Sequence, residues 1–160
     1  GSMVNKVLAP FGQKIGPDPS SINTAMMGGI LSNNASGMCC GVALNSYHTL
    51  QTVEFLLPNG AAFNTATADD YAKFESQEPA IFQGITKLRD RIRSNDELIN
   101  RIRKKYLTKN TVGYSLNAFI DFDHPLDILA HLLIGAEGTL AFISAATLRT
   151  VPDYPYKAAD

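Results

Sequence analysis

Thr52-Val53-Glu54-Phe55-Leu56-Leu57-Pro58-Asn59-Gly60 joins a β-branched and aromatic run to a turn. The run suits a pleated, half-buried strand. Asn59-Gly60 brings the positive φ values of a tight hairpin, so residues 61–64 read as a short return strand. Further along, residues 140–150 are rich in Ile, Thr and Phe and form another strand. Helical patterns lie between these strands. Residues 69–75 make one or two helical turns. Pro79 opens a helix whose stripe is Ile81, Ile85, Leu88 and Ile92. Ser94-Asn95-Asp96-Glu97 has the form of a capping box and starts a second helix, with stripe Leu98, Ile102 and Tyr106. His124-Pro125 breaks the chain before a short helix over 126–133. The pattern predicts an α+β fold: a mixed, largely antiparallel sheet flanked by helices.

Upstream of the hairpin the signals are loop-like. Residues 7–10 are a candidate strand end. Pro17-Asp18-Pro19-Ser20-Ser21 is strong turn chemistry. Ser20 or Ser21 then caps a helix passing Ile22, Ala25 and Met26 towards Leu31. Gly28-Gly29 within that helix costs about 1 kcal/mol per glycine relative to alanine, a cost usually accepted where a backbone must approach something closely. Residues 32–41 turn to Asn, Ser, Gly and Cys and read as loop. Residues 110–116 are a polar loop, 135–139 a turn, and the chain from Val151 onward is expected to leave the domain.

Bulk properties set limits on function. The chain has 160 residues, 45% apolar and 18% charged, which suits one soluble globular domain. Apolar runs are too short to cross a bilayer, and no secretory signal pattern is visible. The expected location is cytoplasmic. Residues 1–3 read as an expression scar. Cys39 and Cys40 are adjacent, which disfavours a mutual disulfide, and they lack further ligands at metal-binding spacing. Residues 87–109 hold nine basic and three acidic residues, +6 against −7 for the remainder. That patch is a solvated helix face or a surface for an anionic partner. The absence of interleaved aromatic residues argues against single-strand stacking, and no nucleic-acid partner is expected.

Three segments stand apart from the core-building ones: 17–20, 28–41 and 135–143. Each sets glycine beside small polar residues, so peptide N–H groups can reach an anion unobstructed. Asn33, Asn34, Ser36 and Thr139 add side-chain donors. No Walker loop, Rossmann fingerprint or nucleophile elbow is present. Histidines 48, 124 and 131 are scattered, and no acid–base catalytic set can be assembled.

In order along the chain, Pro17-Asp18-Pro19-Ser20-Ser21, Met27-Gly28-Gly29-Ile30, the 33–41 loop, Thr52 to Gly60, Lys109-Asn110-Thr111-Val112-Gly113-Tyr114 and residues 135–150 resemble the FAD-binding domain of vanillyl-alcohol-oxidase/PCMH-type flavoproteins. The resemblance is strongest to the bacterial FAD-linked D-lactate and D-2-hydroxyglutarate dehydrogenase branch. It implies the second subdomain of that fold over 4–152, with 153–160 starting a linker. The parent protein would be an oxidoreductase passing a hydride from a D-2-hydroxy acid to flavin N5. A same-fold flavoenzyme with another substrate, or a cofactor-free module using the 87–109 helices, is the alternative.

By the same resemblance the cofactor is FAD. Gly28, Gly29, Asn33, Asn34, Ser36 and Gly37 would approach its pyrophosphate and ribityl chain. Pro17, Asp18 and Ser20 would line the flavin side, and Glu137, Gly138, Thr139 and Ile143 the adenosine end. Lys109, Asn110 and Tyr114 would lie nearer the flavin or the substrate mouth. An N-terminal phosphate-loop subdomain and a C-terminal substrate domain are expected to complete the parent, so this stretch alone would be inactive and hold FAD weakly. The parent, without a transmembrane segment, could touch the inner membrane face peripherally. Met26, Ala136 and Ala141 depart from the family's usual Thr, Ser and Gly.

Overall fold

The computed structural model describes residues 1–155. Its elements run α1 (Ser2–Leu8), a 3-10 turn (Ala9–Phe11), β1 (Gln13–Ile15), α2 (Met27–Ser32), α3 (Ser46–Thr49), β2 (Leu50–Leu56) and β3 (Ala62–Asn64). Four longer or buried helices follow with one short one: α4 (Ala68–Gln77), α5 (Pro79–Arg93), α6 (Asp96–Tyr106), α7 (Ala118–Asp121) and α8 (Pro125–Leu133). Strands β4 (Phe142–Leu148) and β5 (Thr150–Pro152) close the order. The architecture is α+β, and every strand pairing among the described residues is antiparallel: β3-β2-β4 in one sheet and β1-β5 in the other.

The period-2 pattern of β2 does what alternation predicts. Val53, Phe55 and Leu57 are buried, while Leu56 between them faces solvent. Phe55 meets Phe63 across the hairpin, and Phe63 meets Phe74 of α4 edge-on at 5.1 Å. Each fully buried phenylalanine contributes about 1.5–3 kcal/mol through area removed from water. The core continues through Ile85 and Ile92 of α5, Ile102 of α6 and the nearly all-buried α8. Asp127 is the exception in α8; its carboxylate accepts a bond from Tyr71 Oη at 2.7 Å. Burial and that bond push the Tyr71 phenol up to about 12.

Several expectations are corrected. Residues 7–10 are the end of α1 and the 3-10 turn, not a strand end. The helix expected from Ser20 or Ser21 begins only at Met27, because the Ser21 carbonyl closes a separate turn with Thr24 and Ala25. In the hairpin turn only Gly60 takes a positive φ, since Leu57 and Ala61 bracket a wider loop than the two-residue type. Asn95, not Ser94, caps α6 by accepting from Leu98 N–H, and Ser94 instead ends α5. Leu88 is 49% exposed and lies off the buried stripe. Val151 does not leave the domain: β5 pairs with β1 and buries it. Of the expected 153–160 linker, 156–160 lie outside the described residues.

The basic stretch is partly internal. Arg93 donates from Nε to Phe119 O and from Nη2 to Phe122 O, and pairs with Asp123. It thereby ties the end of α5 to α7 by satisfying carbonyls that a short helix leaves open. Arg89 pairs with Asp90 and donates to Asp123 O. Lys87, Arg91, Arg101, Arg103, Lys104 and Lys105 remain on the exposed face.

His131 is the histidine that tertiary packing changes most. Its ring stacks on Phe122 at 3.7 Å, lies edge-on to Tyr47, and donates from Nδ1 to Asp127 O. Burial lowers its pKa, outweighing the opposing pull of Asp127. The unfolded chain therefore binds the proton more readily than the fold does, and stability declines as pH drops below about 6.5. Thermal melts between about pH 7.5 and 5.5 should show that decline, and His131→Phe should flatten it. Equal slopes in both proteins would remove His131 from the acid response.

Candidate functional site

Two glycines make the close approaches that bring the polar loops together. A Cβ on Gly37 would fall within the van der Waals envelope of the Asp18 carbonyl oxygen, and one on Gly16 within that of Leu44 O. The 17–20 turn is thus pressed against the 37–44 loop. Gly28 and Gly29 behave oppositely. A Cβ at either meets nothing within 4 Å, so these residues border open space. The expectation of a close approach at Gly28-Gly29 is therefore unmet within the protein itself; what they leave is room for a ligand.

That room is a cleft of about 490 Å³ lined by Met26, Gly28, Gly29, Ser32, Gly138, Ala141, Phe142 and Ile143. One wall is the start of α2, whose first N–H groups have no intrahelical acceptor. The other is the 135–139 turn. There Gly135 N–H donates to Leu31 O and Glu137 N–H to Ser32 O, which clips the turn to the end of α2. Glu137 takes the left-handed φ of +54° and Gly138 +75°, so the chain reverses sharply at the cleft edge. Thr139 Oγ1 donates to Ala136 O and shares a 2.9 Å bond with Tyr114 Oη.

A second cleft of about 500 Å³ is lined by Asp18, Ser20, Ser36, Gly37, Met38 and Lys109. Lys109 Nζ donates to Ser36 O at 2.8 Å, and Asp18 lies 3.8 Å from Lys14. The opening carries one carboxylate and one ammonium. The strap 107–116 therefore touches both candidate loops, through Lys109 at one and Tyr114 at the other.

The thirteen expected site residues divide accordingly. Gly28, Gly29, Gly138 and Ile143 meet at the first cleft, with Glu137 and Thr139 in the turn beside it. Asp18, Ser20, Ser36 and Gly37 meet at the second. Pro17 is buried beneath that loop. Asn33 is exposed as the C-cap of α2. Asn34 is 7% exposed, and its Oδ1 accepts from Tyr47 N–H, so that oxygen is spent inside the protein. Ser32 and Gly16 are additions that no local pattern announces. Cys40 is buried with its thiol against Gly37 O, and Cys39 is exposed.

Residues 1–66, which hold the 17–20 turn, α2 and the 33–41 loop, match the family model described as FAD binding domain. Over that stretch the chain is similar to FAD-binding domains. It is 33% identical over 154 residues to a D-2-hydroxyglutarate dehydrogenase of Pantoea ananatis, covering 93% of this chain and 15% of that protein. Proteins of the same name from Escherichia coli and Haemophilus influenzae are 29% and 28% identical over 91% and 94% of this chain. The chain spans about one-seventh of the length of these relatives (14–15%). No solved structure matches. The first cleft has features that suit a dinucleotide such as FAD: two glycines bordering empty space, helix-start N–H groups without intrahelical acceptors and a left-handed glycine turn opposite. Met26, 81% exposed, and Ala141 both stand on its lining, whereas Ala136 is buried. No helix among the described residues is long and apolar enough to cross a membrane, and none of their His, Cys, Asp and Glu side chains group as a metal site.

Proposed function

We propose that this chain forms part of the FAD site of an oxidoreductase acting on a D-2-hydroxy acid, of the 2-hydroxyglutarate, lactate or glycolate kind. The observation that carries this reading is the facing of Gly28-Gly29 and Gly138 across one cleft in a chain with FAD-binding-domain sequence. The names of the related dehydrogenases support the substrate class. When bound, FAD supplies the acceptor for the hydride that leaves the substrate α-carbon.

The chain's own residues serve holding and shielding. The α2 N–H groups and Gly28-Gly29 receive the diphosphate, and Glu137, Gly138, Thr139 and Ile143 form the wall at the adenosine end. Asp18, Ser20, Ser36 and Gly37 border the flavin side, with Pro17, Asn33 and Asn34 shaping the loops behind. Substrate handling falls to other parts of a longer protein, in keeping with the one-seventh span. A reducing, cytoplasmic setting belongs to the same reading and suits the exposed Cys39 thiol.

The test is a flavin titration followed by visible absorbance after desalting. This chain alone should take up FAD weakly, because ordering a dinucleotide costs several kcal/mol before contacts offset it. A protein of the relatives' length should retain FAD and bleach on adding a D-2-hydroxy acid. Failure of the long form to take up FAD would overturn the reading. In that form Met26→Thr adds a hydroxyl at the cleft rim. One new hydrogen bond there should tighten FAD binding about 3- to 10-fold, measured by flavin fluorescence. Unchanged affinity would place the diphosphate away from Met26.

A further inference from the structure

We propose that the small polar cavity beneath the 107–116 strap holds one resident water, which donates a hydrogen bond to Asn117 Oδ1 and joins the strap to the Asn34 loop. Asn117 is 7% exposed, and its Oδ1 is buried without a protein donor. Its orientation is not arbitrary. Asn117 Nδ2 donates to Asp121 Oδ2 at 3.1 Å, the same oxygen that accepts from Tyr47 Oη at 2.8 Å. Turning the amide over would set its oxygen against that carboxylate, acceptor against acceptor. The Oδ1 atom therefore needs a donor from elsewhere.

The cavity supplies the place. Its volume is about 10 Å³, close to the space that a single water occupies. Its lining includes Asn34, Asn45, Thr108, Ser115 and Asn117, side chains able to meet a water's remaining hydrogen-bonding capacity. Ser115 Oγ donates to Ile134 O and keeps lone pairs that accept the water's second hydrogen. A water there links three segments at once: α7 through Asn117, the strap through Thr108, and the loop at the end of α2 through Asn34. It helps hold the strap in the position from which Lys109 and Tyr114 reach the two clefts. The water belongs to the chain itself, whether or not the clefts bind FAD.

Two measurements on this chain test it. A crystal structure at a resolution that shows water should contain an ordered peak within about 2.7–3.2 Å of Asn117 Oδ1. Val42 also lines the cavity, so oxygen-17 magnetic relaxation dispersion should count one fewer long-lived water in Val42→Ile, whose extra methyl competes for that small volume, and no fewer in Val42→Ala. An empty cavity, or a protein donor on Asn117 Oδ1, overturns the proposal. So does an unchanged water count in a folded Val42→Ile protein. If that variant fails to fold, the density at Asn117 decides alone.

Discussion

Gly37→Ala should lower the thermal midpoint by about 6–12 °C, corresponding to about 3 kcal/mol for a domain of this size. The added methyl has no soft neighbour to displace: it points at the Asp18 carbonyl, and next at the Asp18 carbonyl carbon and Pro19 nitrogen, all main chain. The 17–20 turn must separate from the 37–44 loop, and with Pro17 buried that movement exposes core surface. The contrast lies nine residues upstream. A methyl on Gly28 or Gly29 enters open space, and alanine is the better helix former by about 1 kcal/mol. Gly28→Ala should therefore leave stability unchanged or slightly raised while weakening FAD uptake in the full-length protein. Melting curves and flavin titrations on both variants separate a glycine kept for packing from one kept for a ligand. A stable Gly37→Ala protein would show that the two loops are not pressed together as described.

The second large effect is expected at Asn34. Its φ of 44° is left-handed, a region that asparagine tolerates better than alanine. Its Oδ1 also satisfies the buried Tyr47 N–H, and its Cβ stands where a Cβ on Gly135 would come within 3.4 Å of it. Asn34→Ala combines roughly 1 kcal/mol of backbone strain with about 1–3 kcal/mol for an orphaned donor. The sum, about 3 kcal/mol, is readable as a shift in urea midpoint. Asn34→Gly removes the strain but not the orphan, so it should fall between wild type and alanine. Equal stability of all three would mean that Tyr47 N–H finds another acceptor.

Much of the framework was legible from local chemistry. The 52–64 hairpin follows from alternation and a glycine turn. Helix α5 follows from Pro79 and its apolar spacing, and α8 from His124-Pro125, whose imidazole accepts from Leu126 N–H as the cap. Helix α2 starts at Met27, later than local capping chemistry implies, since Ser20 and Ser21 are good capping residues wherever they stand. What they cap depends on whether the Ser21 carbonyl is already taken. The strand pairing of β1 with β5 was illegible for a similar reason. Three residues hold no periodicity, and their partner lies more than a hundred positions away.

For the candidate site the division follows the range of the forces involved. Glycine-rich loops and their order along the chain are local facts, legible in the residues themselves. The sequence by itself also determined that the chain is α+β, because hydrophobic period and turn chemistry act within a few residues. Only the tertiary structure decided that Gly37 serves packing while Gly28 and Gly29 border a cleft, that Asn34 is spent on Tyr47, and that Lys109 and Tyr114 reach the two loops. Those roles depend on which backbone comes within a few ångströms, and close packing between distant segments has no signature in local sequence.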